Sequence, residues 1–170
     1  MILREWREDD LPAFAQMNAD PLVMQYMPKQ LIREESDSLA ARIDDHFATH
    51  GFGLWAVEVP EVTEFAGFAG LSAPGFAAHF TPCMEVAWRI ASSSWNHGYA
   101  TEAAQAATAY GFSTLNLPEI VSFTVPHNLA SRRVMEKIGM THDPAEDFDH
   151  PNLAEGHPLR HHVLYRLTAT

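Results

Sequence analysis

The segment from Trp95 to Ala103 reads Trp-Asn-His-Gly-Tyr-Ala-Thr-Glu-Ala, and its residue types suit the binding of an anion. It lies between an apolar stretch typical of a strand and an alanine-rich stretch typical of a helix. The first N–H groups of a helix have no partner inside it and lie at the positive end of its dipole. Such a turn can hold a pyrophosphate without a basic side chain. From Gly98 alone, a glycine that only permits the turn is the simpler interpretation.

A second helix start, at Asn128, follows the next stretch with strand character. Asn128 is a good N-cap, and Gly139 ends the helix. Ala130, Val134 and Ile138 are predicted to form its buried stripe. We expect the two helix starts to lie side by side above the sheet, because each follows its own neighbouring strand. The alternative is a well-capped surface helix whose two arginines are solvated.

Other reactive side chains give weaker signals. Cys83 adjoins a predicted strand but has no partner base at a readable spacing, so it is interpreted as a small apolar residue rather than a nucleophile. A histidine cluster invites a metal interpretation. Two of these histidines precede prolines, and two are neighbours in a predicted strand, where they face opposite sides. No metal site is expected from this cluster, which consists of His150, His157, His161 and His162.

The elements that must position these segments follow from periodicity and breaker residues. The strongest strand is 84–90, with apolar residues on one face and Glu85, Ala87 and Arg89 on the other. The order of elements predicts an α+β fold with early helices, a mostly antiparallel sheet and one strand–helix–strand passage. Strands are predicted at 2–6, 53–59, 65–71, 84–90, 119–125 and 161–167, helices from Asp9 and at 21–27, 34–50, 99–115 and 129–138, and a loop at 73–83.

Composition narrows the class of protein. The chain has 170 residues, 46% of them hydrophobic, which suits one globular domain, 1–170. Its formal net charge of −11 argues against a general nucleic-acid binder. A single cysteine fits a reducing compartment, and neither a signal peptide nor a membrane span is visible, so a cytoplasmic location is expected.

Taken together, the two motifs resemble the GNAT superfamily of acyl-CoA-dependent N-acetyltransferases. Trp-x-x-Gly-Tyr-Ala-Thr-Glu-Ala is followed about 30 residues later by Asn-x-x-Ser-x-x-x-Met-Glu-Lys-x-Gly. The branch that the chain is most similar to is the Rim-type group, which includes ribosomal-protein N-terminal acetyltransferases. The strand Gly-x-Trp-Ala-Val at 53–57 and the closing segment His-Pro-Leu-Arg-His-His-Val-Leu-Tyr also fit. The resemblance implies a mostly antiparallel sheet, flanked by helices and splayed at the CoA site.

The resemblance also implies which residues bind acetyl-CoA, the cosubstrate. The strand before the turn would carry a bulge, and the pantetheine arm would enter the gap beside it. Expected contacts are the main chain of Trp88 and Ile90 with pantetheine, the N–H groups of His97, Gly98, Tyr99, Ala100 and Thr101 with the pyrophosphate, Asn128 with pantetheine, and Arg132 or Arg133 with a CoA phosphate.

Three positions of the turn depart from the family pattern. Trp95 stands where the superfamily usually has Gln or Arg, as it often does in Rim-type members. His97 replaces a longer basic or amide side chain. Asn96 replaces a frequent glycine, but asparagine tolerates a positive φ, so the turn is expected to be retained.

Two side chains are candidates for catalysis. Given the resemblance, Glu85 is the candidate general base, because alternation turns it away from the apolar face and towards the cleft. Ser131 is the candidate donor of a proton or hydrogen bond to the departing CoA thiolate, with Tyr99 or Tyr165 as substitutes. The structural alternatives are a solvated sheet glutamate and a first-turn capping serine. The expected reaction is direct transfer in a ternary complex, with an oxyanion stabilised by a backbone N–H.

Other functions remain open at this stage. A CoA-binding module without catalysis would keep the turn and lack a working base. A Rossmann domain is disfavoured because Gly98 has no glycine partners at the fingerprint spacing. The acceptor amine is a protein or peptide N-terminus, a lysine side chain or a small molecule, and the sequence does not decide among them. It also leaves the oligomeric state open, a homodimer included.

Overall fold

The structure, a computed structural model, describes residues 1–169. The chain divides into two compact units, one of Met1–Gly70 with Trp88–Ala103 and one of Leu71–Ala87 with the residues from Ala104 onwards. The elements are β1 Ile2–Arg4, α1 Leu11–Ala19, α2 Arg33–His50, β2 Leu54–Val59, β3 Thr63–Ser72, β4 Glu85–Ile90, α3 Tyr99–Ser113, β5 Glu119–Thr124, α4 Leu129–Lys137, β6 Thr141–His142, β7 Phe148–Asp149 and β8 His161–Thr168.

These strands form a mixed sheet in the order β1-β2-β3-β4-β5-β8-β6, with β7 paired to β8. The pair β4–β5 is parallel, and α3 connects the two strands as their crossover. The pairs β1–β2, β2–β3, β5–β8, β6–β8 and β7–β8 are antiparallel. The predicted α+β class with one strand–helix–strand passage is therefore confirmed.

In the first unit, α1 and α2 cover one face of β2 and β3. Trp6 lies at the centre of this layer, with its ring centroid 4.8 Å from that of Phe14. The register between β2 and β3 shifts between Val57 and Val59. Because of this bulge, Phe65 and Phe68 reach the same cluster although they do not alternate. The buried members are Phe14, Met17, Ala40, Ile43, Ala56, Phe65 and Phe68.

Gly67 brings the backbone of β3 very close to β4. A Cβ atom added to Gly67 would lie 2.1 Å from the carbonyl oxygen of Arg89, and the φ of Gly67 is 142°. Only glycine permits this approach, which fixes the position of the second half of β4.

In the second unit, β5 and β8 pair along their length, from Glu119 opposite Thr168 to Thr124 opposite Val163. A cluster rich in aromatic residues packs against these strands, and Phe80 and Phe148 approach edge to face, with their ring centroids 4.8 Å apart. The cluster is built on buried Phe80, Val121, Phe148 and Leu164, with Phe76, Ala78, Cys83 and Phe123 packed against it.

The predicted helix at 21–27 is wrong. Residues 21–26 form turns, held by the hydrogen bond from the Met24 N–H to the Asp20 carbonyl. Pro28 follows too soon for a helix of useful length, and a helix this short does not offset the cost of its nucleation. None of the helices in residues 1–169 combines the length and the apolar character that crossing a bilayer requires.

Candidate active site

The parallel strands β4 and β5 are joined at one end. Within the described residues, the register between them consists of Glu85 opposite Val121, where the Val121 N–H donates to the Met84 carbonyl at 2.9 Å. From that point β5 continues its pairing with β8. The described pairing of β4 with β5 is therefore located at Glu85, the first residue of β4.

The turn before α3 contains two left-handed residues. Asn96 has a φ of 64° and Gly98 a φ of 86°. Asparagine is one of the few side chains that adopt this conformation readily, so the turn forms without a glycine at 96, as expected. The indole N–H of Trp95 donates to the Ile90 carbonyl at 2.8 Å and ties the turn to the end of β4.

The mouth of this turn is open. The first hydrogen bond of α3 runs from the Glu102 N–H to the Gly98 carbonyl at 3.0 Å, so the preceding N–H groups have no acceptor within the helix. A Cβ atom on Gly98 would meet no protein atom within 4 Å. The His97 ring stacks on Tyr99 with their centroids 5.4 Å apart. The turn therefore offers unpaired donors to an anion the size of a pyrophosphate, and the cosubstrate fits it.

Glu85, at the start of β4, is a partly buried carboxylic acid without a bonded partner. In the described chain its carboxyl group forms neither a hydrogen bond nor an ion pair, and burial raises its pKa to about 8. A base is most effective when its pKa lies near the working pH. The raised pKa of Glu85 and the lack of a bonded partner thus suit proton transfer near neutral pH.

The neighbouring thiol is unsuited to covalent catalysis. Burial, followed by the charge of Glu85, raises the pKa of Cys83 to about 11. The thiolate is the nucleophilic form of cysteine, and this environment disfavours it.

The start of α4 matches its predicted cap. The Asn128 Oδ1 accepts the Ser131 N–H at 3.2 Å, and its Nδ2 donates to Thr124 Oγ1 at 3.0 Å. The Ser131 hydroxyl has no hydrogen-bond partner among residues 1–169, so it is free to donate. The predicted buried stripe is wrong in part, because Met135 is the buried residue of α4 and Ala130 is exposed. The helix is rotated from the predicted setting, since Met135 is the residue that reaches the core.

Arg132 and Tyr165 hold each other in place. The Arg132 Nε donates to the Tyr165 hydroxyl at 3.2 Å, and its Nη1 donates to the Pro126 carbonyl at 3.1 Å. The hydrogen bond that Arg132 donates to Tyr165 is the first cause of the raised pKa of Arg132. The Tyr165 hydroxyl in turn donates to Glu136 at 3.2 Å. Because this hydroxyl proton is already engaged in a hydrogen bond, Tyr165 is a poorer donor to a thiolate than Ser131.

The structure singles out Arg89, to which the sequence assigned no role. Its Nη1 donates to Asn18 Oδ1 at 2.5 Å, and its Cζ lies 5.3 Å above the Phe68 ring. Asn18 is fully buried and donates to Ser36 Oγ at 2.9 Å. No carboxylate among the described residues forms an ion pair with Arg89. The one sequence signal was a charged residue in the otherwise apolar stretch 86–90.

Comparison with known proteins agrees with this architecture. The sequence matches the family described as acetyltransferase (GNAT) domain over residues 1–141. The uncharacterized N-acetyltransferase YnaD of Bacillus subtilis (strain 168) is 33% identical over 141 residues, which is 82% of this chain and 78% of that protein. The chain belongs to the GNAT family and is an acetyl-CoA-dependent N-acetyltransferase.

Solved structures share the fold. A GNAT-family acetyltransferase from Bacillus anthracis superposes with a TM-score of 0.79 at 26% identity, over 98% of this chain and 93% of that one. Spermidine N-acetyltransferase from Vibrio cholerae, solved with CoA and spermine, superposes with a TM-score of 0.73 at 18% identity, over 98% and 94% of the two chains. The second likeness concerns the fold alone.

Proposed function

We propose that this enzyme acetylates the α-amine of a protein or peptide N-terminus, as expected for the Rim-type branch, by direct attack in a ternary complex. The observation that carries the catalytic part is Glu85, a carboxyl group without a partner whose pKa is raised to about 8. Glu85 takes the proton from the attacking amine, directly or through a water molecule. The amine nitrogen adds to the thioester carbon, the C–S bond then breaks, and CoA leaves as a thiolate that takes up a proton.

The cosubstrate is held mainly by the backbone. The N–H groups of the turn bind the pyrophosphate, and the main chain of β4 accompanies the pantetheine. The Ile90 carbonyl already accepts the Trp95 indole N–H, but a carbonyl oxygen has a second lone pair for a pantetheine amide. The residues with these roles are Trp88, Ile90, His97, Gly98, Tyr99, Ala100, Thr101, Asn128 and Arg132.

The departing thiolate needs a donor, and Ser131 supplies it. Its hydroxyl is unoccupied, whereas that of Tyr165 is bonded to Glu136. The N-cap bond between Asn128 and the Ser131 N–H fixes the backbone that carries this hydroxyl. A backbone N–H of β4 stabilises the negative charge that forms on the thioester carbonyl oxygen when the amine adds.

The preference for an α-amine follows from its acidity. A nucleophilic amine must be neutral, which at pH 7 costs roughly 1 to 1.4 kcal/mol for an α-amine and about 4.6 kcal/mol for a lysine. One carboxylate base favours the α-amine by about 3 kcal/mol. A small-molecule amine is the second candidate, because the net charge of −11 attracts cations in general. A cytoplasmic location is part of the proposal and rests on the single cysteine.

A pair of peptides tests the acceptor. Both carry the same residues, one with a free N-terminus and a blocked lysine, the other with the blocks reversed. We expect CoA release to be faster with the free N-terminus. A clear preference for the lysine would contradict the proposal, and a lack of turnover with both peptides would point to a small-molecule amine.

A further inference from the structure

Arg89 is a half-buried cation without a counter-ion. One of its five N–H groups donates to Asn18, and the face of the guanidinium lies over Phe68. The carboxylate nearest in sequence to Asn18 is Asp20, which is engaged by the Ser92 hydroxyl and the Leu22 N–H and forms no ion pair with Arg89. Throughout the described residues, the other N–H groups of Arg89 have no acceptor side chain.

The surroundings of Arg89 are built to hold it still. Asn18 is itself fixed by Ser36, and both side chains are completely buried. Burial of a charge without a partner is unfavourable, and burial lowers the pKa of Arg89 to about 10. Buried charges are usually paired, and groups with perturbed pKa values concentrate at functional sites.

We propose that Arg89, oriented by Asn18 over the Phe68 ring, binds a carboxylate of the acceptor, so that the preferred substrates are amines that also carry a carboxylate. This inference rests on the proposed amine-acetylating function and narrows its substrate class. A planar guanidinium with a free edge matches a carboxylate through two parallel hydrogen bonds. CoA phosphates have other donors in the turn before α3.

The charge of the whole chain makes Arg89 necessary for such substrates. A net charge of −11 repels anions at long range, so an acceptor with a carboxylate requires a local cation. The cationic amine of such an acceptor is attracted by the net negative charge, and its carboxylate pairs with Arg89. A substrate of this kind is an amino acid or a peptide with an acidic residue near its N-terminus.

Matched acceptors test this, because each pair differs by one carboxylate. The first series pairs ω-amino acids of increasing length with their amides. The second pairs the C-terminally amidated peptides Ala-Asp-Ala and Ala-Asn-Ala, which distinguishes a free amino acid from an acidic peptide. We expect the wild type to favour the carboxylate member of at least one series by roughly 10- to 100-fold in kcat/KM, the range of a charged hydrogen bond.

Two variants should abolish this preference by different routes. Arg89→Gln removes the cation. Asn18→Asp is nearly isosteric and gives Arg89 an internal carboxylate partner, so it competes with the acceptor while Arg89 remains. Both should leave kcat/KM for the amide members within about 3-fold and remove the carboxylate preference. Arg42→Gln is the matched control, because Arg42 is exposed on α2, and it should retain the preference.

Direct binding separates this proposal from the proposed function. Glutarate, which has no amine, should raise the unfolding temperature of the wild type and of Arg42→Gln, and not that of Asn18→Asp. Binding of glutarate without turnover of any amine would support Arg89 and contradict the acceptor class. Equal kcat/KM for both members of every pair would overturn the Arg89 proposal and leave the acetyltransferase activity intact. A loss of acetyl-CoA affinity in Asn18→Asp would also overturn the Arg89 proposal, since it would show that the anion bound by Arg89 belongs to the cosubstrate.

Discussion

Glu85 and Cys83 lie two residues apart and respond to the same environment with opposite consequences. Burial raises the pKa of both, to about 8 for the carboxyl group and about 11 for the thiol. The pKa of the carboxyl group is thereby moved towards neutral pH, where the group can take up and release a proton. The pKa of the thiol is moved away from neutral pH. A free carboxylate in this strand would be too weak a base to deprotonate an ammonium group efficiently.

We expect the Glu85→Gln variant to lose turnover by about 10²- to 10⁴-fold, the usual share of a general base. The substitution is nearly isosteric, so acetyl-CoA affinity should barely change. In the wild type, kcat/KM should rise with pH through an apparent pKa near 8, and this inflection should disappear in the variant. Steady-state kinetics from pH 6 to 9 and calorimetry with acetyl-CoA measure both effects.

Glu64→Gln is the control for this experiment, because Glu64 is an exposed glutamate of β3. It should match the wild type. If Glu85→Gln turned over normally at neutral pH, Glu85 would be structural and the base would be another residue.

The stability of the protein should depend on pH through the same carboxyl group. The folded-state pKa of Glu85, about 8, lies above its ordinary value of about 4.3. Between these values the folded chain retains a proton that the unfolded chain releases, so the contribution of Glu85 to the free energy of unfolding falls as pH rises. Urea unfolding at pH 5 and pH 8 should show a smaller decline for Glu85→Gln than for the wild type. A decline of equal size would show that Glu85 titrates normally.

At the scale of elements, the parts of the site that were predictable are the local ones. Gly98 and Asn128 signal helix starts through their own backbone preferences, and both starts were predicted correctly. The strands β6 and β7 were missed, because two residues show no alternation and their pairing depends on β8. The environment of Arg89 was also missed. It is supplied by Asn18 and Phe68, which are distant in sequence and become its neighbours only through the fold.

Substitutions at two glycines can distinguish a role of the turn in binding from the cost of placing a side chain in a left-handed conformation. Gly98 and Gly156 have φ values of 86° and 79°, and a Cβ on either would meet no protein atom within 4 Å. Valine at either position should cost about 1–3 kcal/mol in backbone strain. Only Gly98→Val should also abolish acetyl-CoA binding, because its side chain would occupy the space above the turn. Calorimetry on both variants, with their unfolding curves, makes the comparison.

A folded Gly98→Val protein that binds acetyl-CoA with unchanged affinity would rule out the turn as the pyrophosphate site. Equal losses of affinity in both variants would attribute the effect to stability.

At the scale of the whole molecule, charge is the dominant property. The chain has 22 acidic against 11 basic residues, yet its cosubstrate is a polyanion. The proposed site resolves this conflict with backbone N–H groups, because they bind phosphate without altering the net charge. The negative charge of the chain therefore stays available to attract the acceptor, whose amine approaches as a cation.

We therefore expect KM for a basic acceptor peptide to rise with ionic strength. Between about 0.05 and 0.5 M salt, screening shortens the Debye length severalfold and weakens long-range attraction. A peptide of the same length with acidic residues at the basic positions should show the opposite trend, and KM for acetyl-CoA should change less. Identical salt responses of the two peptides would exclude a contribution of the net charge to acceptor binding.

The state of Cys83 also determines how the reaction can be followed. At pH 7.5, a thiol with a pKa of about 11 is ionised to only about one part in a few thousand, and it is the chain's single cysteine. Disulfide chromogens that detect liberated CoA should therefore be consumed by the product and hardly at all by the enzyme. Each turnover can be counted continuously, with no background correction for protein thiol and no substitution of the cysteine.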